Sequence, residues 1–293
     1  MNLNQLEVFV AIVDTGSLTS AGDVVGLTQS AVSYSLSRLE AELGVTLLER
    51  GRQGIALTRV GHEVVQHARA ILNHTEAIRQ KAARERGLTV GKLRFGCVST
   101  VPSRLLTGIL RDFQQKYPDI DVVLFEGTPR ELVDWLENGV IDIATVTRPE
   151  GFALSIPFVQ AEITVIVPAN HRLAHETAIP LESLTNETFI GPKAEYGLMH
   201  VLLGLGHGAL PRLRHEVSTP NTIFAMVREK MGVALVLKML LDTDTPGIVA
   251  LPLAPRQFTD IYLASNLKAP AAEAFLESCA RWAKAHGFTR DTA

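Results

Sequence analysis

Apolar residues recur at helical spacing from the first turn of the chain. Leu3, Leu6, Phe9, Val10 and Val13 line one side of a helix that stops at Thr15-Gly16. A second, shorter helix follows, capped by Ser17 or Thr19, with Ala21, Val24 and Val25 as its apolar side and Gly26 as its end. Thr28 caps a third, in which Val32, Leu36, Leu39 and Leu43 fall at i, i+4, i+7 and i+11 and define one buried stripe. Ser30, Ser33 and Ser37 line the opposite stripe. A solvated helix gains more from Glu, Lys, Gln and Ala, because serine competes for its own backbone hydrogen bonds. Something other than water is therefore expected to meet that face.

The next stretch, LLERGRQGIALT, predicts a two-stranded wing whose tight basic turn is Arg50-Gly51-Arg52 and Gln53-Gly54. Three short helices and a wing describe a winged helix-turn-helix, with a reading face of Gln29, Ser30, Ser33, Tyr34, Ser37 and Arg38 that enters a major groove. Gln29 suits bidentate reading of adenine, the serines bond bases or phosphates, and Arg38 and Arg50 suit the DNA backbone. A solvated helix beside an ordinary hairpin is the plainer reading of the same pattern. From Arg59 to about Arg86 no Pro or Gly interrupts the chain after Gly61. Val60, Val64, Ala68, Ile71, Thr75, Ile78 and Ala82 form a coiled-coil-like seam along this helix. At about 1.5 Å per residue it reaches some 40 Å, which asks for a partner helix as cover.

Beyond a hinge at Gly87 to Gly91, strand and helix patterns alternate. KLRFGCV, IDVVLFE and IDIATV read as strands, with helices over Arg104 to Tyr117 and Glu131 to Asn138 between them. The pattern restarts with ITVIVP at Ile163 and closes with a strand over Asp260 to Ala264 and a helix over Ala271 to His286. This is the rhythm of a parallel sheet with helices on its faces. Ser99-Thr100-Val101-Pro102, Thr128-Pro129-Arg130-Glu131 and Ser218-Thr219-Pro220-Asn221 each put a hydroxyl near an N-cap, and Thr128 with Glu131 makes a capping box. Good capping explains part of this. Helix N-termini at the carboxyl end of a parallel sheet also favour an anion, for which Arg148 and Lys193 are the nearest balancing charges.

Composition narrows the class. A chain of 293 residues that is 46% hydrophobic and 20% charged has room for two or three domains with proper cores. No stretch approaches the roughly 20 apolar residues of a membrane span, and the amino terminus lacks a basic leader pattern, so a cytoplasmic protein without a membrane partner is expected. The net charge of −3 gives no global reason to expect a polyanion partner, so a DNA-binding reading rests on where the few arginines sit. Cys97 and Cys279 fit no metal or redox spacing and read as buried small groups, with a redox-sensing pair as the alternative. His62, His67 and His74 fall on the long helix, and no nucleophile with a base, metal spacing or phosphate loop is present. Neither an enzyme nor a resident cofactor is expected.

The stretch from LNQLEVFVAIVDTGSLTSA through TQSAVSYSLSRLEAELGVTLLER to LTRVGHEV resembles the winged helix-turn-helix of LysR-type transcriptional regulators over about sixty residues. The segments FEGTPRELVDWLENGVIDIATV and VIVPANHRLA resemble the effector domain of that family. The resemblance implies that Gln29, Ser33 and Tyr34 face the groove, that Arg50 and Arg52 touch the DNA backbone, and that the long helix forms a dimer. It implies that Ser99, Thr100, Thr128 and Thr219 line an effector cleft between two lobes. The expected fold is α/β with an all-α-plus-wing head and a two-lobed, periplasmic-binding-protein-like effector domain. Its expected parts are a head at 1–58, a linker helix at 59–87, a hinge at 88–91, lobe I at 92–162 and 265–293, and lobe II at 163–264. The expected partners are double-stranded promoter DNA, a small organic anion, a second copy in a dimer or tetramer, and RNA polymerase. The alternative is a solute-binding module without operator-specific DNA binding. Gly22, where the family usually has Ala, is expected to loosen the second helix, and the wing is Gly-rich. Near Met231-Gly232 and Lys238 the family's usual Gly-x-Gly and following Pro are missing.

Overall fold

The computed structural model describes residues 1–51, 54–85, 90–98, 101–191, 212–217, 219–241 and 245–288. Arg52, Leu88, Thr89, Ser99, Thr100, Lys193 and Ser218 lie outside them. The chain divides into two compact units, the first spanning 1–88 with 137–140 and the second 89–136 with 141–293.

The first unit begins with α1 (Leu3–Thr15), α2 (Leu18–Val25) and α3 (Gln29–Leu43), followed by β1 (Leu48–Gly51), β2 (Gly54–Leu57) and α4 (Arg59–Glu85). Each of the first three helices starts on a side-chain cap: Asn2 in a reciprocal box with Gln5, then Ser17, then Thr28. Phe9, Leu6, Leu39 and Leu47 pack with Val65 and Ala68 of α4, while Val8, Ile12, Ala21 and Val32 fill the space between the first three helices. The wing strands pair antiparallel with Arg50 opposite Ile55. Glu40 Oε1 accepts from the backbone N–H groups of Leu47 (2.7 Å) and Leu48 (3.2 Å), which fastens the end of α3 to the wing.

Two local expectations need correction, and at Gly22 the structure adds a reason of its own. Leu43 is 38% exposed, so the buried stripe of α3 ends at Leu39, where the helix outruns the core beneath it. Gly22 has a role beyond helix propensity, since it lets the following turn close. A Cβ built there lies 2.5 Å from the carbonyl oxygen of Leu27, and the Leu27 N–H donates to Gly22 O at 2.9 Å. The long seam also splits. Val60, Val64 and Ala68 pack into the unit's own core, whereas Ile71 and Ile78 remain 39% and 67% exposed and Thr75 half-buried. A four-and-three spacing marks an apolar stripe without saying which surface covers it.

The second unit holds β3 (Gly91–Cys97), α5 (Ser103–Lys116), β4 (Ile120–Glu126), α6 (Pro129–Glu137), β5 (Ile143–Val146) and β6 (Leu154–Pro168). It continues with β7 (Ile179–Pro180), β8 (Thr188–Gly191), β9 (Arg212–Glu216), α7 (Pro220–Arg228), β10 (Ala234–Leu237), β11 (Ile248–Ser265) and α8 (Pro270–Ala285). One sheet runs β10-β6-β11-β5-β3-β4. β3 is parallel to β4 and β5, but β6 and β11 are long antiparallel partners, and β5 and β10 are antiparallel to them. The sheet is thus mixed, not the parallel one expected. The two long strands extend well beyond the expected ITVIVP and Asp260 to Ala264. Pro157, Pro252 and Pro255 interrupt their apolar runs, and a register shift between Pro252 and Gln257 takes residues out of the ladder. Under β3, Phe275 of α8 meets Phe95 (5.0 Å) and Phe113 of α5 (4.9 Å, edge-on).

Candidate nucleic-acid interface and effector-domain site

The outward face of α3 is built by the burial of its inward one. With Val32 and Leu39 fully covered, Gln29, Ser30, Tyr34, Ser37 and Arg38 come out exposed and Ser33 half-buried. At about 100° per residue these six spread over roughly half the helix circumference. Ser30 Oγ lies 3.0 Å from Thr28 Oγ1 at the cap. The side chains of Gln29, Ser33, Tyr34, Ser37 and Arg38 have no hydrogen-bond or ion-pair partner among the described residues. Tyr34, 66% exposed, is the bulkiest group on the face. The hydroxyls, the amide and the guanidinium are thus left for an external acceptor or donor.

Arg38 has a second aspect that the sequence does not reveal. It lines an open depression of about 570 Å³ with Met1, Asn2, Gln5, Ala41 and Glu42, and Glu42 pairs there with the terminal ammonium group. Only the fold brings the start of α1 beside the end of α3. Arg50 lies in β1 opposite Ile55, next to the wing tip.

In the second unit, Thr128 and Thr219 stand at helix starts that follow parallel strands, β4 and β9. The capping box forms: the Thr128 N–H donates to Glu131 Oε2 at 2.7 Å and the Glu131 N–H donates to Thr128 Oγ1 at 3.3 Å. These bonds, the Thr128 backbone N–H first, hold the Glu131 carboxyl below its ordinary value. The box therefore contributes to α6 above the ordinary carboxylate range and fades as pH falls through the lowered value. Thr219 differs from expectation. It does not cap the backbone of α7; its hydroxyl lies 2.8 Å from that of Thr222. At α5 the N-cap is Pro102, again without a side-chain cap. Arg148 is exposed beyond the end of β5. The loop before β10 compensates for its missing Gly-x-Gly with Lys230 at φ 62° and Gly232 packed against Thr188 O.

Both cysteines are buried. Burial, with a smaller push from Glu126, raises the Cys97 thiol to about 12, and burial raises Cys279 as well. Such thiols carry almost no thiolate at neutral pH. Among the described residues no cluster of His, Cys, Asp or Glu could hold a metal ion, and no helix is long and apolar enough to cross a membrane.

Known proteins give a consistent comparison. Residues 3–62 match the bacterial regulatory helix-turn-helix protein, lysR family, and residues 86–284 match the LysR substrate binding domain. An uncharacterized HTH-type transcriptional regulator of Bacillus subtilis, YvbU, is 34% identical, the match covering 94% of this chain and 97% of the relative. A probable HTH-type transcriptional regulator of Synechococcus elongatus, LrrA, is 31% identical, covering 94% and 96%. Among solved structures, a full-length OxyR variant from Pseudomonas aeruginosa superposes with a TM-score of 0.81 at 25% identity, covering 95% of this chain and 97% of that one.

Proposed function

For a chain that belongs to the LysR family of bacterial transcriptional regulators, we propose operation as a dimer on a two-fold symmetric promoter site, with α3 in the major groove and the wing on the adjacent backbone. The observation that carries this reading is the outer face of α3, where Gln29, Ser33, Tyr34, Ser37 and Arg38 stand without partners among the described residues. Small hydroxyls allow close approach to base edges, and Gln29 and Tyr34 supply length for reading. Arg50 of β1 and Arg52, two residues on in the sequence, are suited to phosphates. Two copies place two such helices on half-sites about one helical turn apart. Dimers pair further into a tetramer. Residues 1–58 form the reading head, 59–87 the linker helix and 88–91 the hinge.

The second unit works as a sensor, not an enzyme. A small organic anion is held between lobe I (92–162 and 265–293) and lobe II (163–264) by Ser99, Thr100, Thr128 and Thr219, with Arg148 and Lys193 as balancing charges. Helix N-termini above parallel strands support this chemistry at Thr128 and Thr219. The protein acts in the cytoplasm, where its promoter and its output partner, RNA polymerase, are found.

Selection of duplexes from a random pool, followed by titration of variants, tests the reading. Ser33→Ala and Tyr34→Ala each relax preference at particular base pairs by about 1–3 kcal/mol. Arg50→Ala weakens all sequences alike and lowers the salt slope by about one. Unchanged preference in all three variants would remove α3 as the reading helix. The same titrations with organic acids and their amides test the sensor: acids shift operator affinity and amides do not, and equal effects of the two sets exclude an anion site.

A further inference from the structure

One stripe of α4 is left uncovered by the described residues of its chain. His67, Ile71, His74 and Ile78 are all exposed, Ile78 at 67%. They step by four, three and four, the spacing of facing positions in a pair of coiled helices. The seam expected from sequence runs instead through Ala68 and Thr75. Burial of Val65 and Ala68 in the unit's own core turns the free stripe by one position and brings the two histidines into it.

We propose that this stripe pairs with a second copy of the chain and that His67 and His74 make the pairing pH-dependent, closed while both imidazoles are neutral and opened when they protonate. The inference rests on the dimer reading above. Around a two-fold axis a surface patch meets itself, so a patch whose only ionisable groups are histidines sets imidazoles against imidazoles. Between His67 and Ile78 the stripe carries isoleucines, Ala70, Thr75 and the imidazoles, and no acid, lysine or arginine. It is suited to self-pairing above the ordinary histidine range, about pH 6.5. Below it, each copy presents two cations to two cations.

Among the described residues no neighbouring group pairs with that charge. Glu63, one turn before His67, is held by Arg59 Nη1 at 3.0 Å. Arg69 turns to the other side of α4 and pairs with Asp14 of α1, and Glu76 accepts from Gln80 at 3.2 Å and faces Arg79 at 3.8 Å. Lys81, one turn beyond the stripe, adds a like charge. Of the remaining acids on the elements packed against α4, Glu7 of α1 and Glu137 form no ion pair with either imidazole among the described residues, and β2 carries no charged residue. The dimer thus binds fewer protons than two separate chains, and its affinity falls as pH drops through the histidine range.

Sedimentation of the full chain at pH 7.5 and 5.5 tests this. An imidazole with a pKa of about 6.5 is roughly 90% protonated at pH 5.5, so each one that must stay neutral raises the dimer Kd about tenfold. The wild type therefore shows at least that rise, and His67→Gln with His74→Gln removes it while remaining dimeric at both values. His74→Lys, which fixes the charge without acid, dissociates the dimer at pH 7.5. A wild-type Kd equal at both pH values, or a double glutamine variant that keeps the full pH dependence, overturns the gate. Ile71→Glu with Ile78→Glu separates the two readings. If it yields monomers while wild type ignores pH, the dimer seam stands and the gate falls; if it stays dimeric, the seam falls too.

Discussion

Gly61→Ala is expected to lower the thermal transition of the N-terminal unit by about 10–20 °C and to abolish DNA binding with it. Gly61 lies in the first turn of α4, pressed onto the segment that joins α3 to β1. A Cβ built there is 2.1 Å from the carbonyl oxygen of Leu47 and 3.0 Å from Leu57 Cδ2. That carbonyl cannot give way freely, since it accepts from the Thr58 N–H at 3.0 Å and belongs to Leu47, which is fully buried against Phe9 and Val65. The Gly61 N–H is itself held by Thr58 Oγ1 at 2.9 Å, whose hydroxyl donates to Thr46 O at 2.9 Å. Admitting one methyl group therefore means moving backbone and stretching the bonds that join wing, core and linker helix. Overpacking at such a site costs about 1–3 kcal/mol, and a broken buried hydrogen bond adds about 1 kcal/mol. Differential scanning calorimetry reads the change directly. A transition within about 2 °C of wild type, where 1 kcal/mol moves a small domain by about 4–8 °C, would mean that α4 slides without cost.

The second large effect lies in the other unit. Phe275→Ala should destabilise it by about 4 kcal/mol, the usual range for a buried Phe being about 3–5. Phe275 is fully buried on α8, where it touches Phe95 of β3 and Phe113 of α5, both nearly inaccessible themselves. Removing it leaves a cavity between strand and helices, walled by those two rings. With an m-value near about 2 kcal/mol per molar, the urea midpoint falls by about 2 M. Phe275→Leu keeps most of the volume and should lose less than half as much. A midpoint unchanged within about 0.3 M would show that the ring is replaceable packing.

Much of the reading head is legible in the sequence. Ends of α1, α2 and α3 are marked by Ser17, Thr28, Gly16 and Gly26, residues whose conformational or hydrogen-bonding role is local, while the Asn2 cap and the Gly44 stop come from the structure. The outer face of α3 follows from its inner one. In the second unit, IDVVLFE reads as a strand and is one, because a short run of β-branched and aromatic residues needs no distant partner to show. The long crossing strands are only half visible. Their prolines and charged residues look like loop until β6 and β11 are seen paired along most of their length.

Gly22 and Gly61 show the limit from another side. Small residues there look like weakness in the chain, yet both are places where backbone from elsewhere comes within a Cβ's reach. Nothing in the neighbouring residues announces such an approach. The histidine stripe of α4 is of the same kind.

By itself the sequence determined where the helices of the head begin and end, most of the outward face of α3, and the regulator family to which its motifs point. These depend on spacing and capping within a turn or two of chain. Only the tertiary structure decided that the sheet is mixed, that Arg38 sits beside the amino terminus, and that Val60, Val64 and Ala68 belong to the chain's own core while Ile71 and Ile78 stay free. An apolar stripe states that it will be covered, but the identity of its cover is a property of surfaces brought together from distant parts of the chain.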